Sequence, residues 1–454
     1  MRLIYDGDTS FIGTHRDYVL WRYLGQATAW FPIEDGGLRA NLFNAFWGAV
    51  TVGTITAYVY LVSQSFLATI AAGCAIAVAH SFWLLSVIAE VYTFNTAVVF
   101  LSFLFVALWW ESKSSIWLWA AALFSGLSLY HHATGLVLIA ATFPLLLARF
   151  KSIGFLHGSV ATAIFISASW PYWSVVIPLL GSDENVLAAL GLRMPQNLNF
   201  ETSVLRELIK FFAYLTYNFI GFSIFLGIYG IFVAFRYRIW HLLPPGIWSL
   251  AFVYAGTTST IPDKFNVYVA IYPAFALVVG VGVYQLSKHF KFSRNINATM
   301  VLAITLFPPT FYFATVKISE RFSFDLVGAR TAPLRNNALY FLFPPKNGDF
   351  APRIFAETAL QDMPENGVLI SDYTLWRPLY YVQAIDGLRL DVELIFVERL
   401  LSEGVENWIA NQACDRPIFL ASNRPASYYQ LDQIQARFDV QPYGSIFEVT
   451  ARCG

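Results

Sequence analysis

Glu90 is a carboxylate set beside hydrocarbon. It lies in SVIAEVYTFN, residues 86–95, between two runs apolar enough to be membrane spans. An acid beside lipid is costly and usually has a reason. One reading is a helix-end charge that favours the dipole of the following helix. The other is a polar group that works at the membrane surface. Asp6 and Asp8 stand in YDGDTS, which also reads as a polar turn. His131 and His132 end another apolar run, and Asp263 and Lys264 sit in TTSTIPDKFN. Carboxylates, imidazoles and an ammonium at one membrane face could exchange protons and hold a polar or charged ligand.

Those residues need a membrane scaffold, and the composition supplies one. The chain has 454 residues, 57% hydrophobic and 13% charged, against roughly 25% charged in soluble domains. Basic and acidic residues balance at 29 each, so no nucleic-acid partner is expected. Cys74, Cys414 and Cys453 show no metal-binding spacing. The first residues hold no apolar h-region, so no cleavable signal peptide is expected. Candidate spans lie at 38–62, 66–84, 92–110, 116–130, 134–148, 155–180, 208–235, 240–255, 268–286 and 300–315. Two of them, 116–130 and 134–148, are short, which gives about 8–10 spans.

The basic residues set the orientation. Alternate loops hold Lys113, Arg149, Lys151, Arg236, Arg238, Lys288, Lys291 and Arg294, with Glu111 the only acid. That side is expected to be cytoplasmic. Glu90, His131, His132, Asp263 and Lys264 fall on the other side, with the segment that carries Asp8 and His15. Insertion explains basic residues inside; it does not explain acids and histidines sorted outside.

Three domains are expected: 1–37, an outer first loop with an interfacial amphipathic helix at 18–31; 38–318, the membrane domain; and 319–454, a small α/β domain on the outer face. In the last, helices are expected at 353–363, 375–383, 399–412 and 425–438. Strands are expected at 367–372, 390–397, 416–422 and 444–450. Cys414 and Cys453 lie in this domain and could pair there.

GDTS, RANLFNAFWGAV and IAEVYTFN, in that order, resemble GDSGEL, R-x-N-L and A-E-V-Y of the protein O-mannosyltransferase-like family. SLYHHATGL is similar to that family's N-H-L-T-G-L, and ENGVLISDYTLWRPLYYVQAIDGLRLDVELI to an outer segment of some bacterial members. The family belongs to the C-type integral-membrane glycosyltransferases (GT-C), which use a sugar carried on a polyprenyl phosphate. The resemblance implies a multi-pass plasma or inner membrane enzyme whose C-terminal domain is extracytoplasmic. It implies a polyprenyl-phosphate-linked sugar donor and a hydroxyl acceptor on protein, lipid or glycan.

By this resemblance Asp8 matches the acid of GDSGEL and His15 the histidine of HPPGYP. Arg39 and Asn41 match R-x-N-L, Glu90 matches A-E-V-Y, and His132 matches the N-H-L-T histidine. Asp8 and Glu90 are then the catalytic candidates, with Asp8 as base. His15, Arg39, Asn41, His132, Asp263 and Lys264 are candidates for binding substrate and donor phosphate. No cofactor is specified; Asp8 and Glu90 are the side chains that could hold a divalent metal. GDSGEL has lost its glutamate and HPPGYP reads HRDYVL in this chain. A catalytically inactive membrane scaffold of the same fold is therefore the alternative, with a transporter behind it.

Overall fold

A computed structural model describes residues 18–181, 186–191, 200–258, 264–324, 332–412, 416–424 and 426–450. Asp8, His15, Asp263, Cys414 and Cys453 lie outside the described residues. The chain divides into two compact units, Met1–Tyr312 and Phe313–Gly454. The division comes earlier than the expected 318/319 boundary, inside the helix Arg294–Phe322. The final turns of that helix carry contacts from residues that follow it: Asn336 Nδ2 donates to Glu320 Oε1 at 2.8 Å.

In the first unit the chain forms α1 (Val19–Ala27), α2 (Gly36–Ser63), α3 (Phe66–Ala77), α4 (His80–Ser86), α5 (Tyr92–Ser112), α6 (Ser115–His131), α7 (Gly135–Ala148) and α8 (Phe155–Leu180). Then come α9 (Val186–Ala189), α10 (Phe200–Asn218), α11 (Phe222–Arg236), α12 (Leu243–Thr258), α13 (Lys264–Tyr268), α14 (Tyr272–Phe290) and α15 (Arg294–Phe322). Local signals set the ends. The Asp35 carboxylate caps α2 by accepting the Leu38 N–H at 2.8 Å. Gln64 and Lys113 end α2 and α5 in the left-handed region, at φ 51° and 56°.

Among the described residues, α2, α5, α8 and α15 are each long and apolar enough to cross a membrane. The expected spans 66–84 and 208–235 are not continuous. The first bends by 68° between α3 and α4, and the second by 115° between α10 and α11. The two breaks repair each other. The Asn218 side chain accepts the Ser81 N–H at 2.7 Å and donates to Ser81 Oγ at 3.3 Å. The Tyr312 hydroxyl, from α15, lies within 3.1–3.3 Å of the carbonyls of Val78, Tyr217 and Asn218. Broken helices survive in lipid only where neighbours satisfy the freed backbone in this way. Glycines let α11 and α14 approach closely: a Cβ on Gly230 would stand 1.8 Å from the Val278 carbonyl oxygen.

The second unit is a five-stranded sheet in the order β2-β1-β3-β5-β4. The strands are β1 (Val368–Ser371), β2 (Glu393–Phe396), β3 (Ile418–Leu420), β4 (Asp439–Tyr443) and β5 (Ile446–Thr450). β1 runs parallel to β2 and β3, while β5 is antiparallel to β3 and β4. Leu369 and Phe419 face one apolar layer with Phe355 and Leu379. Val368, Ile370 and Leu420 face another with Ile409 and Ile434. Strands covered on both faces read as continuous apolar runs, which is why β1 and β3 are legible.

Three expectations change in this unit. β4 was not expected; DVQPY is largely exposed and carries a proline, which suits an edge strand but hides its pattern. The helix expected at 399–412 shrinks to Val405–Gln412, after Gly404 at φ 88°. The one expected at 425–438 breaks at Gln430, φ 54°, into Ala426–Tyr429 and Leu431–Arg437.

Candidate functional site

Glu90 sits in the turn between α4 and α5, half-buried. α5 has Val91 as its N-cap and no acid in its first turn, so the carboxylate lies outside the positions where the dipole is felt most. The turn hangs from α2. The fully buried Asn44 amide donates to the carbonyl of Ile88 at 2.6 Å and also to that of Glu90. Its oxygen accepts the Trp21 indole N–H at 3.0 Å. One side chain thus ties α1, α2 and the Glu90 turn together. The expected Asn41 lies one turn earlier, half-buried. Asn44 was not singled out from sequence; the available signal was a second amide three residues on in an apolar helix.

Arg39 Nη1 donates to the carbonyl of Ala29 at 3.3 Å and so fixes the 3-10 turn Thr28–Trp30 that follows α1. At the other end of α1, the Tyr18 N–H donates to the His131 carbonyl at 2.8 Å. The Tyr18 ring stacks on His132 at 5.1 Å. The two histidines differ. His131 is fully buried, neither ring nitrogen has a hydrogen-bond partner among the described residues, and the ring meets Phe94 edge-on at 4.8 Å. It belongs to the packing. His132 is half-buried, and its Nδ1 accepts the Thr134 N–H at 3.1 Å. The neutral ring therefore carries its proton on Nε2. Through Phe94, Tyr18 and Asn44 the fold gathers Arg39, Glu90 and His132 around α1.

Lys264 belongs to a second group. Its Nζ donates to Glu207 Oε2 at 2.7 Å, and Lys210 Nζ donates to Oε1 at 2.8 Å. Arg206 Nε stands 3.6 Å from the same carboxylate. Glu207 is only 5% exposed, so three cations surround one buried acid and the group keeps a positive surplus. Sequence reading missed Glu207, Lys210 and Arg206, because an apolar helix with scattered charges looked like a plain span. One turn beyond Glu207, Phe211 meets the Tyr268 ring at 5.1 Å. Phe211 also lines an apolar cavity of about 530 Å³ between α10, α11, α12 and α14. Phe235 and Leu250 line it too, and both are largely exposed on the unit's flank.

Among the described residues no three His, Cys, Asp or Glu side chains converge as a metal site. Of the two expected metal-holding side chains, Glu90 is described and Asp8 lies outside the described residues.

Residues 17–153 match the family model described as Protein O-mannosyl-transferase TMEM260 N-terminal domain. Arg39, Asn41, Glu90 and His132 fall within that match, and the resemblance to O-mannosyltransferases is borne out there. No curated protein matches the chain. Among solved structures the chain is similar to ArnT from Cupriavidus metallidurans, whose crystal structure is bound to undecaprenyl phosphate. The identity is 14% and the TM-score 0.54, over 96% of this chain and 88% of that one. The fold is that of a GT-C glycosyltransferase, and the chain is an integral multi-pass membrane protein.

Proposed function

We propose that this protein is a membrane glycosyltransferase that moves a sugar from a polyprenyl phosphate to a hydroxyl on protein, lipid or glycan at the outer membrane face. The observation that carries the reading is the Lys264–Glu207–Lys210 group together with an apolar cavity that is lined by Phe211, the residue after Lys210, and also by Arg238 and Trp240 of the loop expected on the opposite side. A cationic group one turn from an apolar cavity with exposed lining residues suits an amphiphile with one anionic group and a long hydrocarbon chain. The family match in 17–153 and the undecaprenyl phosphate of the structural neighbour support the same class. The basic loops on the opposite side support an outer position for this group.

In this mechanism Asp8 takes the proton from the acceptor hydroxyl as the acceptor oxygen attacks the anomeric carbon. The bond from that carbon to the phosphate oxygen breaks, and polyprenyl phosphate leaves. Direct displacement inverts the anomeric centre. Lys264 and Lys210 stabilise the phosphate charge that appears. The His132 Nε2–H is a donor for phosphate or a sugar oxygen, and Glu90 accepts from a sugar hydroxyl. Arg39 acts by fixing the turn after α1. A divalent ion at Asp8 and Glu90 would add Lewis-acid stabilisation of the phosphate.

The transporter reading would use the paired helix breaks, where discontinuous helices can hold a substrate. That region offers Ser81 and Asn218 bonded to each other, with His80 packed on Tyr217 and Tyr312. The Asn218 amide and the Tyr312 hydroxyl there are spent on backbone groups, which favours the enzyme.

A photoreactive polyprenyl phosphate tests the donor site. Label should enter α10 or α12, compete with unlabelled polyprenyl phosphate, and fall at least tenfold in Lys264→Met. Equal labelling of Lys264→Met and wild type would reject this placement of the donor.

A further inference from the structure

The second unit carries a feature that sugar transfer does not use. α15 ends at Phe322, where the chain turns sharply. The Phe324 N–H donates to the Ser319 carbonyl at 3.1 Å, and Ser319 Oγ donates back to the Phe324 carbonyl at 2.7 Å. Residues 332–350 then lie against the last turns of the span. Besides the Asn336–Glu320 bond, the Phe343 ring meets Phe313 at 5.6 Å. Lys317 is the first charge after the apolar run of α15, and it pairs with Glu320 at 2.9 Å. The short helix Asn337–Leu342 is thus held level with Phe313 and Glu320, where an apolar span gives way to charge.

The side chains at this level are not those of a water-facing loop. Phe322, Phe324, Leu334, Phe350 and Ile354 are each 51–65% exposed. Cations are interleaved with them. The Arg335 guanidinium lies 4.1 Å over the Tyr340 ring, and Lys346 Nζ lies 4.6 Å over the same ring. Lys346 also donates to the carbonyls of Tyr340 and Phe343, at 2.5 and 2.8 Å. Arg321 is exposed. Large apolar side chains laid out beside aromatic rings and long basic ones match a membrane interface. There the apolar groups enter the acyl boundary and the cations reach up to phosphates.

We propose that residues 313–324 and 332–354 form a collar seated in the headgroup region of the lipid leaflet at the C-terminal end of α15. Phe322, Phe324, Leu334 and Phe350 enter the acyl boundary, and the exposed Arg321 meets lipid phosphates. The continuity of the collar with a membrane-spanning helix selects lipid over a protein partner, since exposed apolar groups run along α15, at Leu302, Leu306, Phe313 and Ile318, and continue into the collar at Phe322 and Phe324.

The test uses the full chain in lipid nanodiscs, with Cys74, Cys414 and Cys453 replaced by serine or alanine. Single cysteines from Phe350→Cys, Leu334→Cys and Leu401→Cys carry a spin label. Leu401 is also exposed but flanked by Glu398 and Glu403, so it is the aqueous reference. At 350 and 334 the label should be several-fold more accessible to oxygen, relative to a water-soluble nickel complex, than at 401. Equal ratios at all three positions would overturn the proposal. So would labels at 350 and 334 shielded from both reagents, because a protein contact would then cover the patch. If one variant does not fold, the other carries the comparison with Leu401→Cys.

Discussion

Asn44 holds Glu90 by its backbone: the buried amide donates to the Glu90 carbonyl and, at 2.6 Å, to that of Ile88. The carboxylate takes no part in those bonds, so the anchoring of the turn and any chemistry of the acid can be separated by mutation.

Asn44→Ala removes the anchor. It leaves the Trp21 indole N–H and two turn carbonyls without their partner, at a cost of about 1–3 kcal/mol for each buried group left unsatisfied. Thermal melting in detergent should fall, and turnover should fall with it. A melting point equal to wild type would show that the turn is held by something else.

Glu90→Gln leaves the anchor intact. A helix-end charge would contribute about 0.3–1 kcal/mol and no activity. With Glu90 in contact with the sugar, the variant folds as wild type does, while transfer drops sharply. Asp8→Asn, which keeps shape and removes basicity, should lower turnover by roughly 10²-fold or more and leave donor binding in place. Wild-type turnover in either variant removes that residue from the mechanism.

Asp391 gives the second unit a pH dependence of known sign. Arg389 donates to both its oxygens at 2.8 Å and holds its carboxyl well below the usual carboxylate range. A depressed folded value means stability that is present above the unfolded value, about 3.9, and is lost as pH falls toward the folded one. Asp391→Asn should therefore melt lower than wild type at pH 6. The gap should narrow as pH drops below about 4. A gap that is constant from pH 6 to 3 would contradict this.

The membrane fold was legible because composition and basic loops act over long stretches. The helix breaks were not, because His80, Ser81 and Asn218 are scattered polar residues of a kind that an apolar span also carries. The bends depend on Tyr312 and Asn218, far away in sequence. The sheet was legible where strands are covered on both faces and silent at β4, an exposed edge. Within the site, Glu90 stood out as an acid beside lipid. Asn44 did not, because its role exists only once Trp21 and the Glu90 turn are brought to it. Lys264 was legible as a charge, but its partners on α10 were not, since Glu207 becomes a buried acid only through packing.

The most direct test of the central claim is transfer by the purified protein in nanodiscs, with a panel of polyprenyl-phosphate sugars and hydroxyl acceptors. At least one donor should yield a glycosylated acceptor and free polyprenyl phosphate in equal amounts, with product formation cut at least tenfold by Lys264→Met. No transfer from any donor, by protein that still binds polyprenyl phosphate, would contradict the enzyme and leave the inactive scaffold.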